Sequence, residues 1–401
     1  MKQVFQAFSH RNYRLYWYGF TLSLMGTWMQ QLAQGWLVWR LTESTLWLGI
    51  IGAMPQLPSL LLGSIGGVLV DRTHKRKVLF ITQTGIALTA LALAYLTITE
   101  QVTPMHILVI SAIAGVFMAV DAPARLSFVS DLVGEEDIGN AVALNSSTFN
   151  ATRLVGPAVA GIIIPFVGEG MCFLINAVTF GAMIIGLSLM RNLPGPSADS
   201  REPIFKQLRD AYCFVKAAPV QRVLIRNVIV FAAFGFSYMT LMPAFADAIL
   251  NVGVRGLGWM MGSIGIGALI GGLWQASLPK GAKRGPIVML GMAGMGCGLL
   301  VFSLSPWFTL SILALGFLGF SGISMLASTN TLLQTLTPDH LRGRVLGFYT
   351  SAFLGFLPFG SFAIGAVAEH LGAPVTLAIS AVICIAVALY TIFHYHRLRV
   401  V

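Results

Sequence analysis

The chain has 401 residues, of which 56% are hydrophobic and only 10% charged, with a formal net charge of +10. A soluble domain carries about 25% charged residues, so this composition excludes a soluble globular enzyme and points to lipid as the solvent. The cations are accounted for by where they fall along the chain, and no nucleic-acid partner is required.

The basic start, with Lys2, Arg11 and Arg14, leads into an apolar run too long for the core of a secretory signal, so it is read as the first span. Spans are predicted over 13–39, 46–70, 78–99, 104–127, 140–166 and 170–190, then over 222–247, 255–278, 286–304, 307–330, 342–368 and 373–395. Each approaches the roughly 20 residues that carry a helix across a ~30 Å hydrocarbon core. The sequence therefore predicts an all-α membrane protein, with twelve transmembrane helices in two pseudo-symmetric six-helix bundles.

Every alternate connection is basic. One side receives Arg72, Lys75, Arg76 and Lys77, then Arg125, a cluster from Arg191 to Arg226, Lys280 to Arg284, Arg342 with Arg344, and Arg397 with Arg399. The other side receives only Arg40 and Arg255. Lys and Arg collect in cytoplasmic loops, so both termini are expected in the cytoplasm and the protein in a bacterial inner membrane. The expected domains are a first half over 1–190, a cytoplasmic linker over 191–221 and a second half over 222–401. The linker opens with the turn-rich Leu193-Pro194-Gly195-Pro196-Ser197. It continues with Ile204, Phe205, Leu208, Tyr212 and Val215 at helical spacing beside Lys206, Arg209 and Lys216, as an amphipathic helix on the membrane surface would.

A shift of 204 residues places Gly63 on Gly267, Gly67 on Gly271, Gly115 on Gly319, Gly156 on Gly360 and Gly161 on Gly365. One ungapped offset across several spans indicates duplication, and repeated halves of this kind suit a transporter with its site near mid-bilayer. Cys172, Cys213, Cys297 and Cys384 are isolated and read as packing residues.

Between the second and third spans stands Gly67-Val68-Leu69-Val70-Asp71-Arg72-Thr73-His74-Lys75-Arg76-Lys77. A glycine admits a neighbouring helix, an aspartate suits the positive N-terminus of another, and the cations suit acids or lipid phosphates. Gly67, Asp71, Arg72 and Arg76 are therefore candidate gating residues, against the plainer reading that the cations only fix topology. The second half has Gln275 in place of Asp71, which makes the latch degenerate there. In the fourth span Asp121 and Arg125 stand at i and i+4 on one face. Asp121 lies deep enough to need a partner, Arg125 or Arg76, so this pair joins the gating set; a permanent pair with no switching is the alternative.

The fifth span carries Ser146, Phe149, Asn150 and Arg153 as one polar stripe, which must face a cavity or a partner helix. Arg153 suits an anionic substrate, a proton-linked carboxylate or a structural partner, and the sequence leaves the three open. Gly156, Pro157 and Gly161 follow and read as helix-packing residues, with Pro157 bending the helix. Further substrate-cavity candidates are Gln30, Gln34 and Trp36 in the first span, Tyr238 in the seventh, and Asn330 with Gln334 in the tenth. Each polar one alone reads more readily as a helix-packing hydrogen bond than as a ligand contact. Trp17, Trp28, Trp36, Trp39 and Trp47 are read in part as an interfacial belt, with Trp36 also a stacking surface.

The Gly67–Lys77 loop resembles the G-x-x-x-D-R-x-G-R-R motif of the major facilitator superfamily, with His74 at the motif's second glycine. Arg153-Leu154-Val155-Gly156-Pro157, Asp121-Ala122-Pro123-Ala124-Arg125 and Thr337-Pro338-Asp339-His340-Leu341-Arg342-Gly343-Arg344-Val345 resemble the superfamily's drug and siderophore efflux branch. That resemblance implies a secondary transporter exporting a small amphipathic molecule by alternating access, with proton antiport. Import of an anionic small molecule and a non-transporting membrane sensor are the competing readings. Small-molecule substrate, protons and the lipid bilayer are the expected partners of what is expected to be a monomer. No cofactor is expected, no Walker loop points to ATP, and no nucleophile–base pair points to an enzyme. His394 and His396 beside Arg397 and Arg399 read as a membrane anchor rather than a metal site.

Overall fold

The computed structural model describes residues 2–193, 204–279 and 281–400, and among these it contains no strand. A 3-10 segment, Lys2–Ser9, precedes α1 (Arg11–Thr42), α2 (Thr45–Ala53), α3 (Gln56–Arg72), α4 (Lys75–Ile98) and α5 (Pro104–Leu189). Then come α6 (Ile204–Ala217), α7 (Pro219–Val230), α8 (Met242–Ala244), α9 (Gly253–Ser277), α10 (Arg284–Leu304), α11 (Phe308–Leu336), α12 (Asp339–Leu371), α13 (Ala373–His394) and α14 (His396–Val400). Among the described residues nine helices are long and apolar enough to cross a membrane.

One of the nine is α5, whose 86 residues would run to roughly 130 Å if straight, several times a ~30 Å hydrocarbon core. It breaks into three legs at Gly134 and Gly168, where φ is 73° and 78°, a backbone conformation that glycine adopts without steric cost. The first leg begins cleanly. Thr103 Oγ1 accepts from His106 N at 3.3 Å, and Pro104 occupies the first turn, where a missing N–H costs nothing. Separating the legs and adding the 32-residue α1, which glutamines keep less apolar, gives the twelve crossings expected.

The chain forms two compact units, Met1–Thr42 with Met54–Ser200, and Glu43–Ala53 with Arg201–Val401. The second predicted span is thus divided. Its helix stops at the turn Met54–Pro55, where proline cannot supply the N–H that would continue the ladder. Its first part, α2, packs within the second unit. A Cβ built on Gly365 would fall 2.6 Å from Gly49 Cα, so α2 and α12 meet backbone to backbone. Glu369 of α12 closes the start of α2 by accepting from Ser44 Oγ, Thr45 Oγ1 and Leu46 N, each at 3.0 Å, as a carboxylate at a positive helix end should.

Within the first unit, Tyr13 and Tyr16 of α1 pack with Leu79 of α4 and with Phe128, Met183 and Leu187 of α5. In the second, the seventh span departs from the continuous helix expected over 222–247. After α7 it passes through a π turn (Phe231–Phe236), a 3-10 turn (Ser237–Leu241), α8 and a second π turn (Phe245–Ile249). Such interruptions free backbone carbonyls, one of which, Ala232 O, accepts from Ser237 Oγ at 3.0 Å.

Two of the glycine pairs aligned by the 204-residue shift, Gly156 with Gly360 and Gly115 with Gly319, make matching close approaches in each unit. A Cβ on Gly63 or Gly67, by contrast, would meet no described atom within 4 Å, where Gly267 and Gly271 are tightly packed. A Cβ on Gly156 would stand 2.7 Å from Trp28 Cβ of α1, and one on Gly360 would stand 2.4 Å from Ala233 O in the seventh span. Likewise Gly115 would meet Pro55 O at 2.5 Å and Gly319 would meet Ile264 O at 2.2 Å. Fifth span against first, and fourth against second, are packed through the same glycines in both units.

The turn Pro194–Ser197 and the side chains of Ile204, Phe205, Lys206 and Leu208 lie outside the described residues. The remainder of α6 is docked on α12 rather than resting only on a membrane surface. Asp210 Oδ2 accepts from Arg344 Nη1 at 2.6 Å, Tyr212 meets Phe348 with ring centroids 6.4 Å apart, and Ala211 and Val215 are buried.

Candidate functional site

In the first unit α1 and the second leg of α5 run in the same direction, and side chains pair along their seam in order. Tyr13 OH donates to Asn145 Oδ1 at 3.1 Å and Trp17 Nε1 to Thr148 Oγ1 at 2.9 Å. Farther along, the Arg153 guanidinium lies 5.8 Å from the Trp28 ring centroid, and Phe149 meets the same indole edge-on at 5.5 Å. Gly156 makes this possible, since any larger residue would push the leg away from Trp28.

Arg153 is half-buried, Phe149 is 42% exposed, and Trp28 Nε1 is buried with no acceptor among the described residues. The seam therefore presents a cation, two aromatic faces and one unsatisfied donor together. That combination suits an apolar molecule carrying an anionic or acceptor oxygen.

Of the predicted stripe, Ser146 is exposed and Asn150 Nδ2 turns back to Ser146 O at 2.9 Å within its own helix. Gln30 and Gln34 are engaged in helix packing. Gln30 Oε1 accepts from Asn176 Nδ2 at 2.6 Å, and Gln34 Nε2 donates to Ser111 Oγ at 3.1 Å. Trp36 is half-buried and Pro157 and Gly161 are buried. In the second unit Tyr238 is buried in the 3-10 turn, and Gln334 Nε2 donates to Asn330 Oδ1 at 2.5 Å.

Trp28 is the residue that sequence reasoning misplaced, since it lies in the middle of α1 rather than in an interfacial belt. The signal that finds it is its spacing with Arg153 and Gly156 once the two helices are known to be parallel.

At one end of the first unit lies the candidate gate. Asp121 is buried and paired with Arg125, one turn along the same helix, and its Oδ1 also accepts from Thr82 Oγ1 and Gln83 Nε2 at 2.7 Å each. Arg125 in turn lies over the Phe20 ring at 5.5 Å. Arg76, the other expected partner, instead donates to Ser188 O at 2.9 Å, while Lys75 binds Asp131 at 2.8 Å and Ser127 O at 3.1 Å. His10 and Asp137 pair at 2.7 Å nearby.

Arg72 is exposed, and the Asp71 side chain lies outside the described residues. Gly67 meets no described atom within 4 Å, and the close approach belongs to Gly66, whose Cβ would stand 2.7 Å from Ala119 O.

Gln275 is the counterpart of Asp71 in the second unit. It is buried, donates to Ser324 O at 3.0 Å and Ser328 Oγ at 2.9 Å, and accepts from Arg284.

Two units of repeated spans hold polar groups inside apolar helices, and the family model that matches the chain makes it a membrane transporter of the major facilitator type. The chain belongs to the transmembrane secretion effector family, whose model matches residues 3–401.

It is 26% identical over 288 residues to the enterobactin exporter EntS of Shigella flexneri, covering 72% of this chain and 68% of that one. It is 26% identical over 385 residues to the staphyloferrin A transporter of Staphylococcus aureus, covering 94% and 95%. It is also 26% identical over 348 residues to the multidrug efflux pump Tap of Mycolicibacterium fortuitum, covering 84% of each. Among solved structures it shares the fold of the nucleoside transporter NupG, with a TM-score of 0.73 at 15% identity over 98% of this chain and 100% of that one.

Proposed function

We propose that this protein exports a small amphipathic molecule, drug-like or siderophore-like, across a bacterial inner membrane by alternating access, in exchange for protons. The observation that carries the reading is the Arg153–Trp28–Phe149 constellation, which offers stacking, a positive charge and an unsatisfied N–H to one ligand. Relatives named as an enterobactin exporter and a multidrug efflux pump support the direction, and these together with a staphyloferrin A transporter support the class of cargo.

Asp121, the carboxylate held by Arg125, Thr82 and Gln83, is the group on which proton exchange would act in the first unit. Asp71 and Arg72 belong to the same gating role, both termini are cytoplasmic, and the working unit is the monomer.

Uptake of an anionic nutrient uses the same arginine, and direction separates the two readings. Proteoliposomes with an imposed pH gradient test both: export predicts substrate movement against the proton flow and loss of that movement when the gradient is collapsed. Net movement with the protons would favour uptake.

A further inference from the structure

Arg226 stands two turns into α7, where the seventh span begins, and the side chains around it come from the end of α13. Its guanidinium carbon lies 5.0 Å from the Tyr390 ring centroid and 5.4 Å from that of Tyr395. The two rings are 6.0 Å apart at 67°, and His394 stacks on Tyr390 at 4.4 Å. The charge is thus boxed by aromatic faces, and among the described residues no carboxylate pairs with it.

The hydrogen-bond inventory of this box is unbalanced. Nη2 donates to Thr391 Oγ1 at 2.7 Å and to Asn227 Oδ1 at 3.2 Å. The Thr391 hydroxyl donates to Val387 O at 2.7 Å. Arg226 Nε and Asn227 Nδ2 are both buried with no acceptor among the described residues. Aromatic faces offset a cation's charge, but they do not accept N–H groups lying in the guanidinium plane. Two adjacent donors without an acceptor among the described residues, one of them on the cation itself, call for a group that only accepts and carries negative charge.

The surroundings select the source of that group. The box lies at helix ends, where a span meets the membrane–water boundary, and its outer side carries Tyr390 and Phe393, 47% and 63% exposed. Arg222 and Arg399 are exposed at the same helix ends. Basic pockets between transmembrane helices with an aromatic, partly lipid-exposed rim match anionic headgroups.

We propose that Arg226, with Tyr390 and Tyr395, binds the phosphodiester of an anionic phospholipid in the seam between α7 and α13. The site is separate from the Arg153 constellation and independent of transport direction.

The test is lipid binding to the purified full chain in detergent, by native mass spectrometry and thermal shift, with phosphatidylglycerol, phosphatidylcholine and inorganic phosphate as probes. Wild type is expected to retain phosphatidylglycerol in preference to phosphatidylcholine and to be stabilised by it, with no effect of inorganic phosphate. Arg226→Met should weaken phosphatidylglycerol binding about tenfold or more, the scale of one lost charged, hydrogen-bonded contact. Arg226→Lys, which keeps the charge but not the planar stacking, should fall between.

If Arg226→Met fails to fold, the Lys variant decides. Binding to a folded variant equal to wild type overturns the site, and full stabilisation by inorganic phosphate alone overturns the lipid assignment in favour of a free anion.

Discussion

Asp121 and Arg125 stand one turn apart in the first leg of α5 and form an ion pair whose side chains are only 6% and 19% exposed. Removing one partner from a buried pair strands the other charge, which typically costs about 3–5 kcal/mol. Asp121→Asn is therefore expected to lower the melting temperature of the purified protein markedly, and Arg125→Met combined with Asp121→Leu to recover much of that loss. Differential scanning fluorimetry checks it, and equal stability of Asp121→Asn and wild type would contradict the pairing.

Gly156 and Gly67 separate packing from spacing. A side chain at Gly156 collides with Trp28 Cβ and Met25 O, whereas one at Gly67 meets no described atom within 4 Å. Gly156→Val should destabilise by about 1–3 kcal/mol or more, as overpacking does, while Gly67→Val should leave folding intact. Yield of monodisperse protein after detergent extraction reads the difference directly.

Topology is open to native cysteines. Cys213 on α6 is exposed, whereas Cys172 and Cys384 are buried, and Cys297 is exposed on a span, where a charged reagent does not reach. A membrane-impermeant maleimide should modify Cys213 in inverted vesicles and spare it in right-side-out spheroplasts. Thr73→Cys and Ala282→Cys should behave alike, as basic loops on the cytoplasmic side require. Labelling from outside would invert the assignment.

Asp71→Asn is expected to insert and fold normally yet lower flux, because it removes a charge proposed to act in gating while changing little bulk. Unchanged flux at equal protein level would remove Asp71 from the gate.

Much of the fold is legible in the chain because lipid imposes one rule everywhere: apolar segments of span length, interrupted by charge. The Asp121–Arg125 pair was also legible, since an i,i+4 relation lies within one helix. Thr82 and Gln83 were not, because their donation to Asp121 depends on how α4 meets α5. Gly66 and Gly67 differ by one residue, which is about 100° around a helix, so spacing alone could not say which one faces the neighbour. Trp28 looks like an interfacial residue by type, and only its register against Arg153 reveals its place. The split of the second span at Pro55 was hidden for the same reason, since nothing in α2 itself announces that its glycine meets Gly365.

The most direct test of the central claim is flux through proteoliposomes of a fluorescent amphipathic anion and its neutral analogue, measured for wild type, Arg153→Lys and Arg153→Met. The exporter described above moves both compounds in the outward sense. Arg153→Met should weaken apparent affinity for the anion about tenfold while leaving the neutral compound within about twofold, and Arg153→Lys should fall between. Movement only in the inward sense, or an identical response of anion and neutral compound to loss of Arg153, would contradict it.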